Sequence, residues 1–181
     1  MKCCTAAAVL FLLSAFASLA LADEGMWLFN FPPTAQVRAN YGFQLTPQWL
    51  DHVRLSSVRF NNGGSGSFVS PDGLTMTNHH VGATCIHQLS TRGQDYMQTG
   101  FYARTRADEA QCPDLELNVL QEIQDVTAQI NAAVKPGMSV ANQGQAQRAA
   151  MSAVEDACAQ ASGLRCDVMT LYSGAMYNLY K

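Results

Sequence analysis

The sequence has few basic residues, and they do not cluster. Its 181 residues include 11 lysines and arginines against 14 aspartates and glutamates, a formal net charge of −3 at pH 7 with histidine neutral. Because nucleic-acid binding requires a concentrated patch of lysine and arginine, this composition argues against a nucleic-acid partner. A chain of this length is enough for one domain or for the first part of a larger one.

The sequence also lacks the spacings that mark a metal site. It contains neither a CxxC nor an HExxH word, the patterns that bring zinc ligands together. A zinc site that used Cys85 and His87 as ligands would have neither spacing. We therefore expect no metal and no other cofactor.

One apolar run stands at the N-terminus. Lys2 supplies a positive charge before it, Ala6–Leu21 is too short and too rich in small residues for a membrane span, and Ala20–Ala22 fits a signal-peptidase site. This pattern predicts a cleavable signal peptide over residues 1–22 and a mature chain that begins at Asp23. The mature protein is then periplasmic or secreted, with no membrane attachment after cleavage.

Cysteine is scarce, and its positions are informative. Of the six cysteines, the two at positions 3 and 4 precede the apolar run and leave with the signal peptide. The four that remain allow two disulfides in an oxidising compartment, with three connectivities. We favour Cys85 with Cys112 and Cys158 with Cys166.

The stretch Gly63–Val81 organises the rest of the chain. Two β-prone runs flank Ser70–Gly73, which has the turn chemistry of a hairpin and a glycine available for a positive φ. The hairpin is predicted to deliver His79 and His80 to the end of a strand. Neighbours on a strand point to opposite faces, so only one of the two imidazoles can face a given partner.

The order of a small-residue strand, an Asp-Gly turn, an apolar strand and Thr77–Val81 resembles the histidine hairpin of trypsin-like serine peptidases. Further words narrow the resemblance to the bacterial serine dipeptidyl peptidases of types 7 and 11, which remove dipeptides from the N-termini of oligopeptides. These words are Asp23–Trp27, Thr46–Leu50, Ser56–Phe60, Asp95–Tyr96, Gly100–Phe101 and Asp125–Thr127. The resemblance runs from Asp23 to Lys181 and implies that His80 is the general base.

The same resemblance implies a fold and a set of partners. The expected fold is mainly β with helical additions, the first β-barrel part of a trypsin-like double-barrel peptidase domain that is incomplete in this chain. The expected partners are oligopeptide substrates, and the sequence leaves open whether the full-length enzyme forms a homodimer. No cofactor is implied.

Two parts of the implied active site are missing from the sequence. In the family, the triad aspartate lies on a later strand, and the nucleophilic serine lies in a GxSGxP word near the far end of a much longer chain. The GxSGxP word does not occur here, and no word for the triad aspartate is found. Nothing in the spacing selects Asp95, Asp114 or Asp125 as the triad carboxylate. Residues 23–181 are therefore expected to be an N-terminal fragment that is inactive alone, and a predicted strand with an exposed edge at Lys181 favours that interpretation.

The other candidate serine and histidines have structural interpretations. Ser65 lies in a Gly-Ser-Gly-Ser word that looks like the surroundings of a serine nucleophile, but glycine and serine just before the histidine hairpin are typical of closely packed strands. We interpret Ser65 as structural and His79 as a packed neighbour of His80. His52 is interpreted as a surface or half-buried helical residue, and His87 as a surface residue.

Two other functions remain open. One is a periplasmic trypsin-like endopeptidase of the heat-shock kind, whose hairpin also ends in Thr-Asn-x-His-Val, although the words around Trp27, Trp49 and Asp95–Tyr96 argue against it. The other is a non-catalytic secreted β-barrel that binds peptides by adding a strand along its edge.

Local signals predict the remaining elements. Phe31–Pro33 favours an extended chain over residues 23–40, and Thr46 with Pro47 marks the start of a helix. The other expected elements are a strand over Leu115–Val119 that continues through a bulge at Leu120 to Val126, a helix from a Ser139 cap to Gly163, and strands over Leu164–Tyr172 and Ala175–Tyr180. Strand alternation selects as core Phe60, Phe68, Val69, Leu74, Met76, Leu115, Leu117, Val119, Val168, Tyr172 and Leu179.

Overall fold

The computed structural model describes residues 25–181, so the predicted signal peptide and the start of the mature chain lie outside the described residues. The chain divides into two units after Pro33. In the first unit, the described residues contain a turn in which the Phe31 amide donates a hydrogen bond to the Leu28 carbonyl (3.0 Å).

The second unit begins with helix α1 (Thr34–Tyr41). An extended chain was expected as far as residue 40, and this expectation is wrong over α1. Proline lacks an amide hydrogen, but the first turn of a helix does not use that donor, so the chain can become helical directly after Pro33.

Helix α2 (Pro47–Ser56) leads directly into the first sheet. The Thr46 hydroxyl oxygen accepts a hydrogen bond from the Trp49 amide (3.2 Å), and Pro47 occupies the first helical position, as predicted. The sheet is antiparallel with the order β3-β2-β1-β4, and its strands are β1 (Ser57–Phe60), β2 (Ser65–Phe68), β3 (Thr75–Thr77) and β4 (Leu117–Val119). The pairing of β2 with β3 confirms the predicted hairpin.

Two helices and a 3₁₀ turn connect β3 to β4. They are α3 (His79–Leu89), α4 (Tyr96–Thr99) and the turn at Arg106–Asp108. The rings of Tyr96 and Phe101 meet edge to face at 5.1 Å, which orders the chain after α4. The first sheet and α3 share a core of Val58, Phe60 and Val81, against which Phe68, Leu115 and Val119 pack.

The chain leaves the first sheet at Leu120. Arg54 on α2 donates hydrogen bonds from Nη1 to the Leu120 carbonyl (2.6 Å) and to the Gln121 carbonyl. The chain then enters a second sheet as β5 (Ile123–Asp125). The predicted continuous strand with a bulge is therefore wrong. The carbonyls at the break are bound by a side chain 66 residues away from Leu120, and no local pattern encodes that contact.

The second sheet packs against two helices, α5 (Thr127–Asn131) and α6 (Val140–Ser162). It is antiparallel with the order β5-β7-β6, where β6 is Asp167–Leu171 and β7 is Met176–Tyr180, so both C-terminal strands are confirmed. The Ser139 hydroxyl caps α6 by accepting from the Asn142 amide (3.3 Å), and Gly163 ends it at a φ of +68°, as predicted. The core here is Val126, Ile130, Val154, Cys166, Val168, Tyr177 and Leu179.

Both predicted disulfides are present. Cys85 on α3 is bonded to Cys112 in the segment before β4, with the Cα atoms 5.2 Å apart. Cys158 on α6 is bonded to Cys166 just before β6, with the Cα atoms 6.0 Å apart. Each bond therefore ties a helix to the segment that leads into a strand.

Helices contribute more of the structure than expected. Helix α6 alone has 23 residues, whereas the longest strands of the described chain have five. The fold is a mixture of helices and antiparallel sheets, and the expectation of a mainly β chain is wrong. Among the helices of residues 25–181, none is both long and apolar enough to cross a membrane.

Strand alternation identified only part of the core. Phe60, Val168 and Leu179 are buried as predicted, and three more members of the predicted set pack against the first core. The remaining five are between 40% and 67% exposed: Val69, Leu74, Met76, Leu117 and Tyr172. Alternation separates the two faces of a strand, but it does not say whether another layer covers either face.

Candidate active site

His79 and His80 occupy the first two positions of α3. Strand β3 ends at Thr77, and Asn78 is the N-cap residue with extended φ and ψ of −76° and 147°. The prediction that a strand end carries the two histidines is therefore wrong. An asparagine at an N-cap followed by two buried apolar residues four apart, Val81 and Cys85, is the helical signal that the strand interpretation overlooked.

The helical setting changes how the two imidazoles are arranged. Successive residues of an α-helix are rotated by about 100° from each other, because a turn takes 3.6 residues, so His79 and His80 do not point to opposite faces. Both residues are exposed, which contradicts the interpretation of His79 as a packed neighbour. Within residues 25–181, neither imidazole takes part in a hydrogen bond or an ion pair.

The residue after His80 anchors the start of the helix. Val81 is 3% exposed and packs with Val58 and Phe60 of β1. Gly64 lies directly against it, because a Cβ built on Gly64 would be 2.3 Å from Val81 Cγ2. The Val81 carbonyl also accepts a hydrogen bond from Asn62 Nδ2 (2.8 Å). Exposed His80 is thus attached to a buried residue that is fixed by its side chain and by its backbone.

Helix α3 has two further attachments to the segment that precedes β4. The first is the disulfide from Cys85 to Cys112. The second is a hydrogen bond from Gln88 Nε2 to Asp114 Oδ2 (3.1 Å). The helix is therefore held at its first turn, in its middle and near its end, and this limits how far its N-terminus can move.

Ser65 is the first residue of β2, directly after the β1–β2 turn, and its backbone is engaged by the neighbouring strand β3. Its carbonyl accepts a hydrogen bond from the Thr77 hydroxyl (2.7 Å). The neighbouring Gly66 is required by close packing, because a Cβ there would lie 2.4 Å from the Met76 carbonyl oxygen. These contacts support the interpretation of the Gly-Ser-Gly-Ser word as closely packed strand.

The three candidate carboxylates each have a local structural partner. Asp95 Oδ1 accepts from the Met97 amide (3.0 Å) at the start of α4, and Asp114 binds Gln88 as described above. Asp125 Oδ1 accepts from the Thr127 amide (2.8 Å). Hydrogen bonds from the Thr127 side chain and then from its backbone amide lower the pKa of the Asp125 carboxyl below its usual value. In the described part of the chain, no carboxylate forms an ion pair or hydrogen bond with His80.

The remaining histidines are surface residues, as predicted. His52 is exposed on α2, and His87 is exposed near the end of α3. Cys85, which a zinc site with His87 would need as a thiolate ligand, is bonded to Cys112. Over residues 25–181 there is no group of three or more histidine, cysteine or acidic residues that could hold a metal ion.

The model of the peptidase S46 family matches residues 22–181, nearly the whole sequence. The chain belongs to the peptidase S46 family. Dipeptidyl-peptidase 7 of Porphyromonas endodontalis is 38% identical over 135 residues, which cover 71% of this chain and 16% of that protein. An Asp/Glu-specific dipeptidyl-peptidase of Porphyromonas gingivalis is 30% identical over an alignment of 187 residues, covering 93% of this chain and 26% of that protein.

A solved S46 structure has a similar fold. The crystal structure of Porphyromonas endodontalis DPP11 matches 88% of this chain and 24% of its own chain, with a TM-score of 0.67 and 26% sequence identity. These matches confirm the resemblance to dipeptidyl peptidases of types 7 and 11. The chain spans 16% to 26% of the length of these relatives.

Proposed function

We propose that this chain is the N-terminal part of a serine-type dipeptidyl peptidase that releases dipeptides from the N-termini of oligopeptides, with His80 as its general base. The observation that carries the proposal is the family match over residues 22–181, which includes the Thr77–Val81 word. Both kinds of named relative are dipeptidyl peptidases, and dipeptide release is the activity that their names share.

The proposed chemistry requires an imidazole held at a fixed position. A serine hydroxyl is a weak nucleophile at its own pKa, so a neighbouring imidazole must accept its proton, and a carboxylate must hold that imidazole in the correct tautomer. His80 is exposed, and within residues 25–181 no group competes for its ring nitrogens. The serine and the carboxylate belong, in this proposal, to a later part of a trypsin-like double-barrel domain, because the GxSGxP word is absent from these 181 residues.

The test is a matched pair of substitutions in the full-length enzyme. His80→Ala should lower kcat for a dipeptidyl substrate by about 10⁴- to 10⁶-fold, the loss seen when a triad member is removed. His79→Ala is the control, because His79 is the adjacent exposed histidine of the same helix and its removal should leave kcat close to wild type. Full activity of the His80→Ala enzyme would contradict the peptidase assignment.

The fragment part of the proposal has its own measurement. The isolated 181-residue chain should not hydrolyse dipeptidyl substrates and should resist labelling by a serine-directed phosphonate, since an imidazole without a nucleophile has nothing to activate. Phosphonate labelling at Ser65 would overturn both the fragment proposal and the structural interpretation of that serine.

We further propose that residues 1–22 direct export. The two disulfides support a final location in an oxidising compartment such as the periplasm. N-terminal sequencing of the exported protein should begin at Asp23 and read Asp-Glu-Gly-Met-Trp. A membrane-bound form that retains Met1 would show that the apolar run is an anchor.

A further inference from the structure

We propose that Asn62 is a positioning residue for His80. Asn62 lies in the turn between β1 and β2, and its Nδ2 donates a hydrogen bond to the Val81 carbonyl at 2.8 Å. Val81 directly follows His80 in the first turn of α3. The inference rests on the proposed function, because it assigns a role relative to the general base.

The bond from Asn62 supplies something that packing does not. The Val81 side chain is buried against Val58, Phe60 and Gly64, and these apolar contacts keep the first turn of α3 against the sheet. Burial of apolar surface is not directional, so it does not by itself select the orientation of the backbone carbonyl in that turn. A hydrogen bond at 2.8 Å prefers a nearly linear geometry at a defined oxygen, so it selects one orientation of the turn.

The turn that carries Asn62 is itself held in place. The Phe60 amide donates to the Gly64 carbonyl (2.8 Å), which closes the turn. On its other side, Asn61 Nδ2 donates to the Asp114 carbonyl (2.9 Å), and the Glu116 amide donates to Asn61 Oδ1 (3.2 Å). Asn62 therefore starts from a turn that is fixed to the sheet and to the segment before β4.

Together these contacts form a closed ring that includes Val81, the residue next to the histidine. The ring runs from α3 through the disulfide of Cys85 and Cys112 to the segment before β4, then through Asn61 to Asn62, and from Asn62 back to α3 at Val81. Removal of the last bond opens the ring next to His80 while the other attachments stay. The first turn of α3 is then held by the burial of Val81 alone, and the backbone beside the imidazole gains freedom to move.

Catalysis is sensitive to small displacements of a catalytic side chain. Catalytic groups must be held within about 0.5 Å of their productive geometry, and a 1 Å misplacement can lower the rate by about 10²-fold. The His80 imidazole has no hydrogen-bond partner in the described part of the chain, so its position depends on the backbone that carries it.

The experiment compares Asn62 with a matched asparagine that does not touch α3. Asn62→Asp keeps the shape of the side chain but removes the donor, and Asn62→Ala removes the side chain without adding charge. The control is Asn118→Asp on β4, because Asn118 Nδ2 also donates to a backbone carbonyl, that of Arg59, at 3.4 Å.

Two readouts separate positioning from general stability. In the 181-residue chain, amide hydrogen exchange in the first two turns of α3 should accelerate by about tenfold in both Asn62 variants, the factor expected for the loss of one hydrogen bond, and should not change in Asn118→Asp. In the full-length enzyme, kcat should fall by about 10²-fold with little change in KM, while the variant remains folded by near-ultraviolet circular dichroism.

The variants distinguish a failure of the positioning role of Asn62 from a failure of the proposed function. If His80→Ala abolishes activity but folded Asn62→Ala has wild-type exchange in α3 and wild-type kcat, the positioning role is wrong and the function stands. If His80→Ala is fully active, the general-base assignment fails, and with it the role given to Asn62. Equal acceleration of exchange in Asn62→Ala and Asn118→Asp would also overturn the inference, because it would show a general loss of stability.

Discussion

Gly64→Ala should destabilise the protein through a single steric contact. The added Cβ would lie 2.3 Å from Val81 Cγ2, 2.6 Å from Cγ1 and 3.0 Å from Cβ. Carbon atoms in favourable contact are about 3.5–4.0 Å apart, so one of the two residues must move by more than about 1 Å. Val81 cannot easily make room, because it is 3% exposed and its branched side chain is restricted at χ1.

The size of the effect follows from two opposing terms. Inserting a methyl group into a well-packed core costs about 1–3 kcal/mol. Replacing glycine by alanine also reduces the freedom of the unfolded chain, which offsets about 0.4–1 kcal/mol. We expect a net loss of about 1–2 kcal/mol, which in a chain of this size lowers Tm by about 2–8 °C.

The assay is thermal and urea unfolding of the 181-residue chain, with Gly82→Ala as the matched control. Gly82 directly follows Val81 inside α3, and a Cβ there meets nothing within 4 Å. Alanine at that position should raise stability by up to about 1 kcal/mol, because glycine is a poor helix former. The two glycine substitutions should therefore change the free energy of unfolding in opposite directions.

A double substitution tests whether Val81 is the cause. Val81→Ala alone should also destabilise, since it empties part of a core, but in the Gly64→Ala background it removes the two closest contacts, at 2.3 Å and 2.6 Å. The double variant should be more stable than the sum of the single losses predicts, by about 0.5–3 kcal/mol of coupling. A Gly64→Ala protein as stable as wild type, alongside a stabilised Gly82→Ala protein, would refute the steric argument.

Three further predictions concern cross-links, acid stability and capping. Removing the bond from Cys85 to Cys112, which closes a separation of 27 residues, should cost about 3.5 kcal/mol in the chain-entropy picture. Removing the bond from Cys158 to Cys166, with a separation of 8, should cost about 2.5 kcal/mol. Of the two double cysteine-to-alanine variants, the one without the bond from Cys85 to Cys112 should therefore have the lower urea midpoint. The lowered pKa of Asp125 contributes stability that is present above the ordinary carboxyl pKa of 3.8 and is lost as the pH falls through the folded pKa. Asp125→Asn should therefore flatten the acid limb of a curve of unfolding free energy against pH. The wild-type and variant curves should differ most at neutral pH. Ser139→Ala removes the cap of α6 and should cost about 1 kcal/mol in urea unfolding, whereas Ser139→Asp keeps a capping oxygen and should show no such loss.

Features set by neighbouring residues were predictable from the sequence. The caps at Thr46 and Ser139 and the stop at Gly163 follow from the chemistry of one side chain and the amides or φ angle beside it. The β2–β3 hairpin follows in the same way from its turn residues. For the disulfides, four cysteines left three connectivities open, and the favoured one is present.

Features set by distant residues were not predictable. The break after β4 depends on Arg54, which binds the Leu120 carbonyl across 66 residues of chain. The exposure of Leu74 and Met76 depends on which layer covers the β2–β3 hairpin, and strand alternation carries no such information. The prediction of His80 at a strand end was a local error of a different kind, since the helical spacing of Val81 and Cys85 was visible in the sequence.

The glycine-rich word before the histidines has a physical explanation that does not involve a nucleophile. Gly63 has a φ of +95°, a conformation that side chains with a Cβ rarely adopt, and it lies in the turn that presents Asn62. Gly64 must lack a Cβ because Val81 occupies that space, and Gly66 must lack one because the Met76 carbonyl does. Each glycine is therefore required by the turn itself or by a contact that brings β2 against β3 or against the first turn of α3. A word that resembles the surroundings of a serine nucleophile is, in this chain, part of the surface against which the helix of His80 is packed.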